Sequence, residues 1–308
     1  MDSNDNPDYI SPKQWQSRGE LEILLGHSIF VIDEGATHLP TIVLLHGFPT
    51  SSWDWAPIWH SLSQSYRLIA LDMLGFGFSD KPNSHRYSIH GQADIVEALV
   101  KTKRLDDFHV LAHDYGDTVA QELLARQLTG AGAGTWLSCC LLNGGLFPET
   151  HRALLTQKLL LSPLGKFLNR LTGYSKFSKN FSSVFGPQSK PSEQDLENFW
   201  WLINFSDGKH IFHNLITYMR DRIEHRERWV SALQKSTIPL GLINGSVDPV
   251  SGDHMVARYK ELNCRLDYLA ELPLIGHYPQ VEAPSSVLKH YETYLQSLLT
   301  SDAIVPND

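Results

Sequence analysis

The sequence predicts an α/β protein: a mostly parallel, eight-stranded sheet flanked by helices, with a helical cap inserted late in the chain. Three observations point there. Uninterrupted apolar runs, such as TIVLLH at 41–46 and WLSCCLL at 136–142, fit strands buried on both faces, as in a parallel sheet. These runs alternate with segments whose apolar residues recur at helical spacing, the pattern of layered α/β folds. The alternation lapses between residues 147 and 235 and then resumes.

Residues 20–33 (ELEILLGHSIFVID) read as a hairpin around Gly26-His27, which makes the sheet mixed at one edge. The strand at 41–46 ends in the break Gly47-Phe48-Pro49. A helix follows, with Trp55, Ile58, Trp59 and Leu62 on one face. Residues 66–71 (YRLIAL) form the next strand and lead into Asp72 and the loop MLGFGFSDKP. Residues 88–103 are helical, carried by Ile89, Val96, Leu99 and Val100. The strand at 108–112, a helix after it, and the strand at 136–142 complete the first part.

Within the insertion, residues 151–161 carry a leucine-rich helical face. Residues 172–191, rich in Ser, Lys, Phe and Gly, read as a long loop. Residues 193–205 and 209–222 read as helices. The charged run RDRIEHRERW at 220–229 reads as a solvated helix face. Phe199, Trp200, Trp201 and Phe212 need burial, so the division is a core of 1–146 and 236–308 under a cap of 147–235. Strands at 238–244 and 265–270 and helices at 252–262 and 284–299 close the core.

Composition bounds the function. The 308 residues suffice for one α/β unit with an insertion, and 42% hydrophobic against 19% charged residues fits a large core. The net charge of -8 argues against nucleic acid or an anionic membrane as partner. Of three cysteines, Cys139 and Cys140 are adjacent in an apolar run and Cys264 is distant. That is no disulfide framework and favours a reducing compartment. The polar, acidic start lacks a signal peptide's basic end and apolar block, and no apolar run is long enough to span a bilayer. A cytoplasmic location is the expectation. The histidines His109, His113, His210 and His213 lack zinc-type spacing, and GFGFSD is no phosphate loop. No metal or cofactor is expected.

The chemistry gathers at FHVLAHDYGDTVAQELLARQ, residues 108–127. A short strand meets a sharp turn and then a helix, the context of a nucleophile elbow. Asp114 stands at the tip, with the small residues Ala112 and Gly116 two positions to either side, so that strand and helix can approach closely. Facing the helix N-terminus, its carboxylate should stay ionised. Taken alone, this stretch fits a helix N-cap as well as a nucleophile.

Two further strand ends complete a set. Asp248 (NGSVDP) follows the strand at 238–244, and His277 (LIGHYPQ) follows the strand at 265–270. Ligands and chemistry collect at carboxyl ends of strands in such sheets. Nucleophile, acid, histidine is the hydrolase order. Asp248 would orient the imidazole, and His277 would act as general base. The oxyanion hole falls to the backbone N–H groups of Phe48 and Tyr115. The side chain of His46 reads as a turn-bonding group.

HGFP, LDMLGFGFSDKP, HDYGD, the Asp248 turn and GHYPQVEAP together resemble the α/β-hydrolase family, in its epoxide hydrolase and haloalkane dehalogenase branch, where Asp replaces Ser. The wording HGFPTSSWDW, HDYGD and NGGLFPETHR is most similar to the mesoderm-specific transcript subgroup. The resemblance runs from about residue 20 to the last helix. It implies a hydrolase fold under a helical cap and an alkyl-ester intermediate on Asp114, formed from a small, mostly apolar substrate and cleaved by water. Such dehalogenases place Asn after the HG pair and Trp after the nucleophile; Phe48 and Tyr115 stand there instead, and HGFP is the epoxide hydrolase form. Epoxide hydrolases also use cap tyrosines as proton donors. Tyr218 (ITYMR) resembles one, and Tyr174 is a weaker second. The rival outside catalysis is a ligand-binding or scaffold protein on a hydrolase fold.

Overall fold

The computed structural model describes residues 9–152, 158, 160–162, 165 and 173–302. Its strands are β1 (Glu20–Leu24), β2 (His27–Glu34), β3 (Thr41–Leu45), β4 (Arg67–Leu71), β5 (Asp107–His113), β6 (Thr135–Leu142), β7 (Leu240–Gly245) and β8 (Tyr268–Leu272). They form one eight-stranded sheet in the order β1-β2-β4-β3-β5-β6-β7-β8. The first two pairings are antiparallel and the other five parallel. The opening hairpin turns on Leu25-Gly26, both at positive φ (51° and 83°), with Leu24 opposite His27. That is one residue earlier than the sequence suggests. A two-residue turn of this hand needs both central residues left-handed.

The continuous apolar runs are explained by cover on both faces. Val43, Leu45, Val110, Ala112 and Leu141 pack into one cluster, and Ile42, Leu44, Leu111, Cys140 and Leu142 into another. The helices are α1 (Pro12–Arg18), α2 (Ala56–Ser63), α3 (Ile89–Thr102) and α4 (Tyr115–Leu128) before the insertion. Ser88 caps α3 by accepting from the Gly91 N–H. After β7 come α10 (Asp253–Glu261), α11 (Pro279–Glu282) and α12 (Pro284–Asp302), and between β6 and β7 lie α5 (Tyr174–Ser182), α6 (Glu193–Asn204), α7 (Phe212–Leu215), α8 (Tyr218–Glu224) and α9 (Arg226–Lys235). The described elements of the insertion are all helical.

Three expectations within the insertion need correction. Residues 174–182, read as loop, are α5; Phe177 and Phe181, one helical turn apart, bury against Trp200, Phe199 and Tyr278. Only a narrow aromatic stripe marks this helix, so its Ser/Lys content masked it. The single helix read at 209–222 is broken: residues 209–211 belong to a preceding 3-10 turn, and α7 and α8 are separate. The charged run at 220–229 is not simply solvated. Arg222 and Trp229 are each 2% exposed. Buried Glu122 on α4 accepts from Trp229 Nε1 and Arg228 Nε, both at 2.8 Å, and from Arg126 Nε at 3.0 Å, which docks α9 onto α4. The leucine-rich face at 151–161 lies mostly outside the described residues.

Candidate active site

The corner between β5 and α4 carries a non-glycine residue in strained backbone: Asp114 has φ 46° and ψ −102°. Such conformations persist only where the surroundings enforce them. Two close approaches do so here. A Cβ on Gly116 would lie 2.3 Å from the Leu45 carbonyl oxygen, and one on Gly47 would lie 2.7 Å from His113 Nδ1. Only glycine lets α4 start this near β3. The Asp114 side chain makes no capping hydrogen bond to its own helix. The N-cap reading therefore fails, and the carboxylate is turned to other partners.

Those partners come from three loops. The Phe48 N–H, after β3, donates to Asp114 Oδ2 at 3.1 Å. His277 Nε2, after β8, lies 3.9 Å from the same oxygen, an ion-pair distance too long for a hydrogen bond. His277 Nδ1 is 2.7 Å from Asp248 Oδ2. Asp248 is itself held at both oxygens: Val250 N–H donates to Oδ1 at 2.7 Å, and Asn143 Nδ2 and Ser251 Oγ donate to Oδ2 at 3.0 and 2.8 Å. His113 Nε2 lies 2.7 Å from the His277 carbonyl oxygen and fixes the loop from behind. Asp114, Asp248 and His277 are 3%, 3% and 5% exposed.

Burial opposes charge on all three groups, and mutual pairing overrides it. Burial alone would raise the Asp114 carboxyl, but the His277 and Arg222 charges hold it well below the usual range. Burial would lower His277, yet the carboxylates of Asp248 and Asp114 push it well above its ordinary value. Asp248 is lowered, its burial outweighed by the imidazolium and by donated hydrogen bonds. Asp117, one turn into α4, shows the opposite. Burial first, then the Asp114 charge, raises its carboxyl far above the normal range, and both its oxygens lack partners among the described residues.

Other residues singled out in the sequence fall as follows. Tyr115 is the first residue of α4, so its N–H has no partner within the helix. Its ring packs on Tyr218 and Phe76 at 5.0 and 5.4 Å. Tyr218 opens α8 and is 1% exposed, beside Phe48 at 5.8 Å. Its hydroxyl has no hydrogen-bond partner among the described residues. Burial and the Asp114 charge raise this phenol. Tyr174 is not brought to the site: its hydroxyl bonds Glu193 at the surface, 2.5 Å away. His46 is a turn-bonding group, its Nδ1 2.8 Å from the Gly47 carbonyl and its Nε2 accepting from the Met73 N–H at 2.9 Å.

Two residues were missed. Asn143 follows β6 in left-handed backbone (φ 47°) and bridges Asp248 to the Gly245 N–H. Its signal was there: the first polar residue after a buried strand, before two glycines. Arg222, hidden in the charged run, donates from Nε to Thr118 Oγ1 at 2.8 Å, from Nη2 to the Asp114 carbonyl at 3.4 Å, and from Nη1 to His151 Nδ1 at 3.4 Å. Nη2 also lies 3.7 Å from Asp114 Oδ1. Nothing in the local sequence distinguishes Arg222 from its exposed neighbours.

Comparison with known proteins agrees with this architecture. Residues 40–131 match the model of the alpha/beta hydrolase fold. The mesoderm-specific transcript homolog protein of Bos taurus is 45% identical, the alignment covering 94% of this chain and 90% of that protein. The chain belongs to the α/β-hydrolase family. LipZ of Mycobacterium tuberculosis, named as a hydrolase, is 39% identical over 90% of this chain and 95% of its own. A loop variant of the haloalkane dehalogenase DbeA from Bradyrhizobium elkanii shares the fold, with TM-score 0.77, 19% identity, and cover of 92% of this chain and 98% of that one. Among the described residues no helix is long and apolar enough to cross a membrane.

Proposed function

We propose that this hydrolase uses Asp114 as nucleophile on a small, mostly apolar epoxide, forming an alkyl ester that water cleaves with His277 as base. The observation that carries the reading is the Asp114 side chain, which leaves its own helix uncapped while Oδ2 sits 3.1 Å from the Phe48 N–H and 3.9 Å from His277 Nε2. A carboxylate so held suits attack at saturated carbon. The Phe48 and Tyr115 N–H groups would stabilise the tetrahedral intermediate of ester cleavage. Phe48, Phe76, Tyr115, Phe212 and Tyr218 form a linked aromatic wall beside the carboxylate, which supports an apolar substrate. Residues 147–235 would act as the cap, supplying Tyr218 as proton donor to the opening oxygen.

Electrostatics give the two half-reactions an order. While Asp114 is charged, two carboxylates hold the His277 proton. Alkylation neutralises Asp114, so His277 loses one of them and its pKa falls. The neutral imidazole then draws a proton from water, which attacks the ester carbonyl. Asp248, bonded at Nδ1, keeps Nε2 turned toward the ester.

The test is His277→Gln with a panel of epoxides and haloalkanes. The ester should accumulate as a mass adduct on Asp114 with epoxides. An adduct on another residue would refute the nucleophile. Halide release without diol formation would move the chain to dehalogenation, which Phe48 and Tyr115 argue against.

A further inference from the structure

Attack by a carboxylate on a neutral substrate moves a negative charge. It leaves the attacking oxygen and arrives at the atom whose bond to carbon breaks. In a dry site this displacement is costly unless a fixed counter-charge reaches both ends. Arg222 has that reach. Its Nη2 lies 3.7 Å from Asp114 Oδ1, the oxygen that Phe48 and His277 do not engage. Its guanidinium also covers the Tyr218 ring, 4.6 Å from the centroid.

The cation is anchored by neutral groups rather than by the carboxylate. Thr118 Oγ1, the Asp114 carbonyl and His151 Nδ1 accept from it. Burial and the Arg222 charge push His151 down to about 4, so it is a neutral acceptor. A Cβ on Gly145 would stand 2.3 Å from Nη1 and 2.8 Å from His151 Nδ1, so a side chain there would displace the guanidinium from its present position. The Asp114 contact is looser than a bidentate bridge, which closes to roughly 2.8 Å. Arg222 can therefore stay in place when the carboxylate loses its charge. Beside it lies the buried Tyr218 hydroxyl, without a partner among the described residues.

We propose that Arg222 is a catalytic residue of ring opening, the fixed cation that balances the negative charge first on Asp114 and then on the leaving oxygen and Tyr218. The proposal rests on the nucleophile reading above. Asp114 Oδ1 bonds to an epoxide carbon, the ring C–O bond breaks, and its electron pair stays on the oxygen. That oxygen takes the Tyr218 proton, and Arg222 steadies the phenolate. The phenolate regains a proton from the His277 imidazolium through water. This leaves the neutral imidazole that ester cleavage requires, and the cleaving water returns the proton.

The test times adduct formation on Asp114 by intact mass in the full chain carrying His277→Gln. The probes are propylene oxide and its trifluoromethyl analogue, whose opened alkoxide is far less basic. Adding Arg222→Gln should slow the reaction of propylene oxide about 10²-fold, the effect of losing one preorganised donor. The trifluoromethyl analogue should be slowed much less, with Arg222→Lys between. An equal loss for both probes would mean that Arg222 acts only on the carboxylate or the fold, and no loss would mean that it does nothing here. Either overturns the proposal. If Arg222→Gln does not fold, Arg222→Lys, which keeps a cation but loses the fork, is read by the same contrast. An absent Asp114 adduct with Arg222 intact is the separate failure of the nucleophile reading, and the proposal falls with it.

Discussion

Replacing Gly116 with Ala adds one methyl group at the tightest point of the elbow. That carbon would meet the Leu45 carbonyl oxygen at 2.3 Å and the His46 carbonyl oxygen at 2.8 Å. Comfortable contact begins near ~3.5 Å, so α4 and β3 must part by about an ångström. Both obstacles are backbone, and β3 is locked between β4 and β5. No rotamer change can relieve the clash. The cost belongs at the top of the overpacking range, about 3 kcal/mol. For a chain of 308 residues that lowers the melting temperature by roughly 5 °C. The same displacement carries Asp114 away from the Phe48 N–H, and a shift of about an ångström in such a group costs on the order of 10²-fold in turnover. Calorimetry and steady-state kinetics on Gly116→Ala read both effects. Gly173→Ala is the control, since a Cβ there meets nothing within 4 Å among the described residues. A Gly116→Ala protein that melts and turns over like the wild type would refute the close-approach argument.

Further expectations concern the charges. Asp248→Asn should leave alkylation of Asp114 intact but slow ester cleavage by about 10³–10⁴-fold, because the imidazole loses its orienting anion; single-turnover mass spectra would then show the ester persisting. Turnover within tenfold of wild type would remove Asp248 from the mechanism. Asp117→Asn should raise the melting temperature at neutral pH. Its carboxyl is raised in the folded state by burial and by Asp114, so folding becomes less favourable as pH climbs above the unfolded value near ~3.9. The gain should therefore shrink as pH falls toward 4, and a gain independent of pH would contradict the assignment.

The sheet was legible in the sequence because each buried strand has both faces covered. Runs such as WLSCCLL leave no other reading at that length. The grouping of Asp114, Asp248 and His277 was legible because all three sit at strand ends in a fixed order, and because Gly116 marks the turn. Whether Asp114 caps its helix stayed open until its backbone was seen, since a capping aspartate can have the same sequence neighbours. The insertion was read least well. Phe177 and Phe181 define a helix only through partners far along the chain. Arg222 stands among charged residues of the same helix, and only the docking of α8 against Thr118 and Gly145 turns it inward. Tertiary contact, not local pattern, decides such positions.

The most direct test of the Asp114 mechanism is a single turnover of excess enzyme with an epoxide in oxygen-18 water. Attack by the carboxylate puts a protein oxygen into the diol, and water then replaces it at the Asp114 carbonyl. Carboxylate attack predicts unlabelled diol and one heavy oxygen in the peptide containing Asp114. Labelled diol with an unlabelled peptide would mean that water attacks the substrate directly, and would contradict the mechanism.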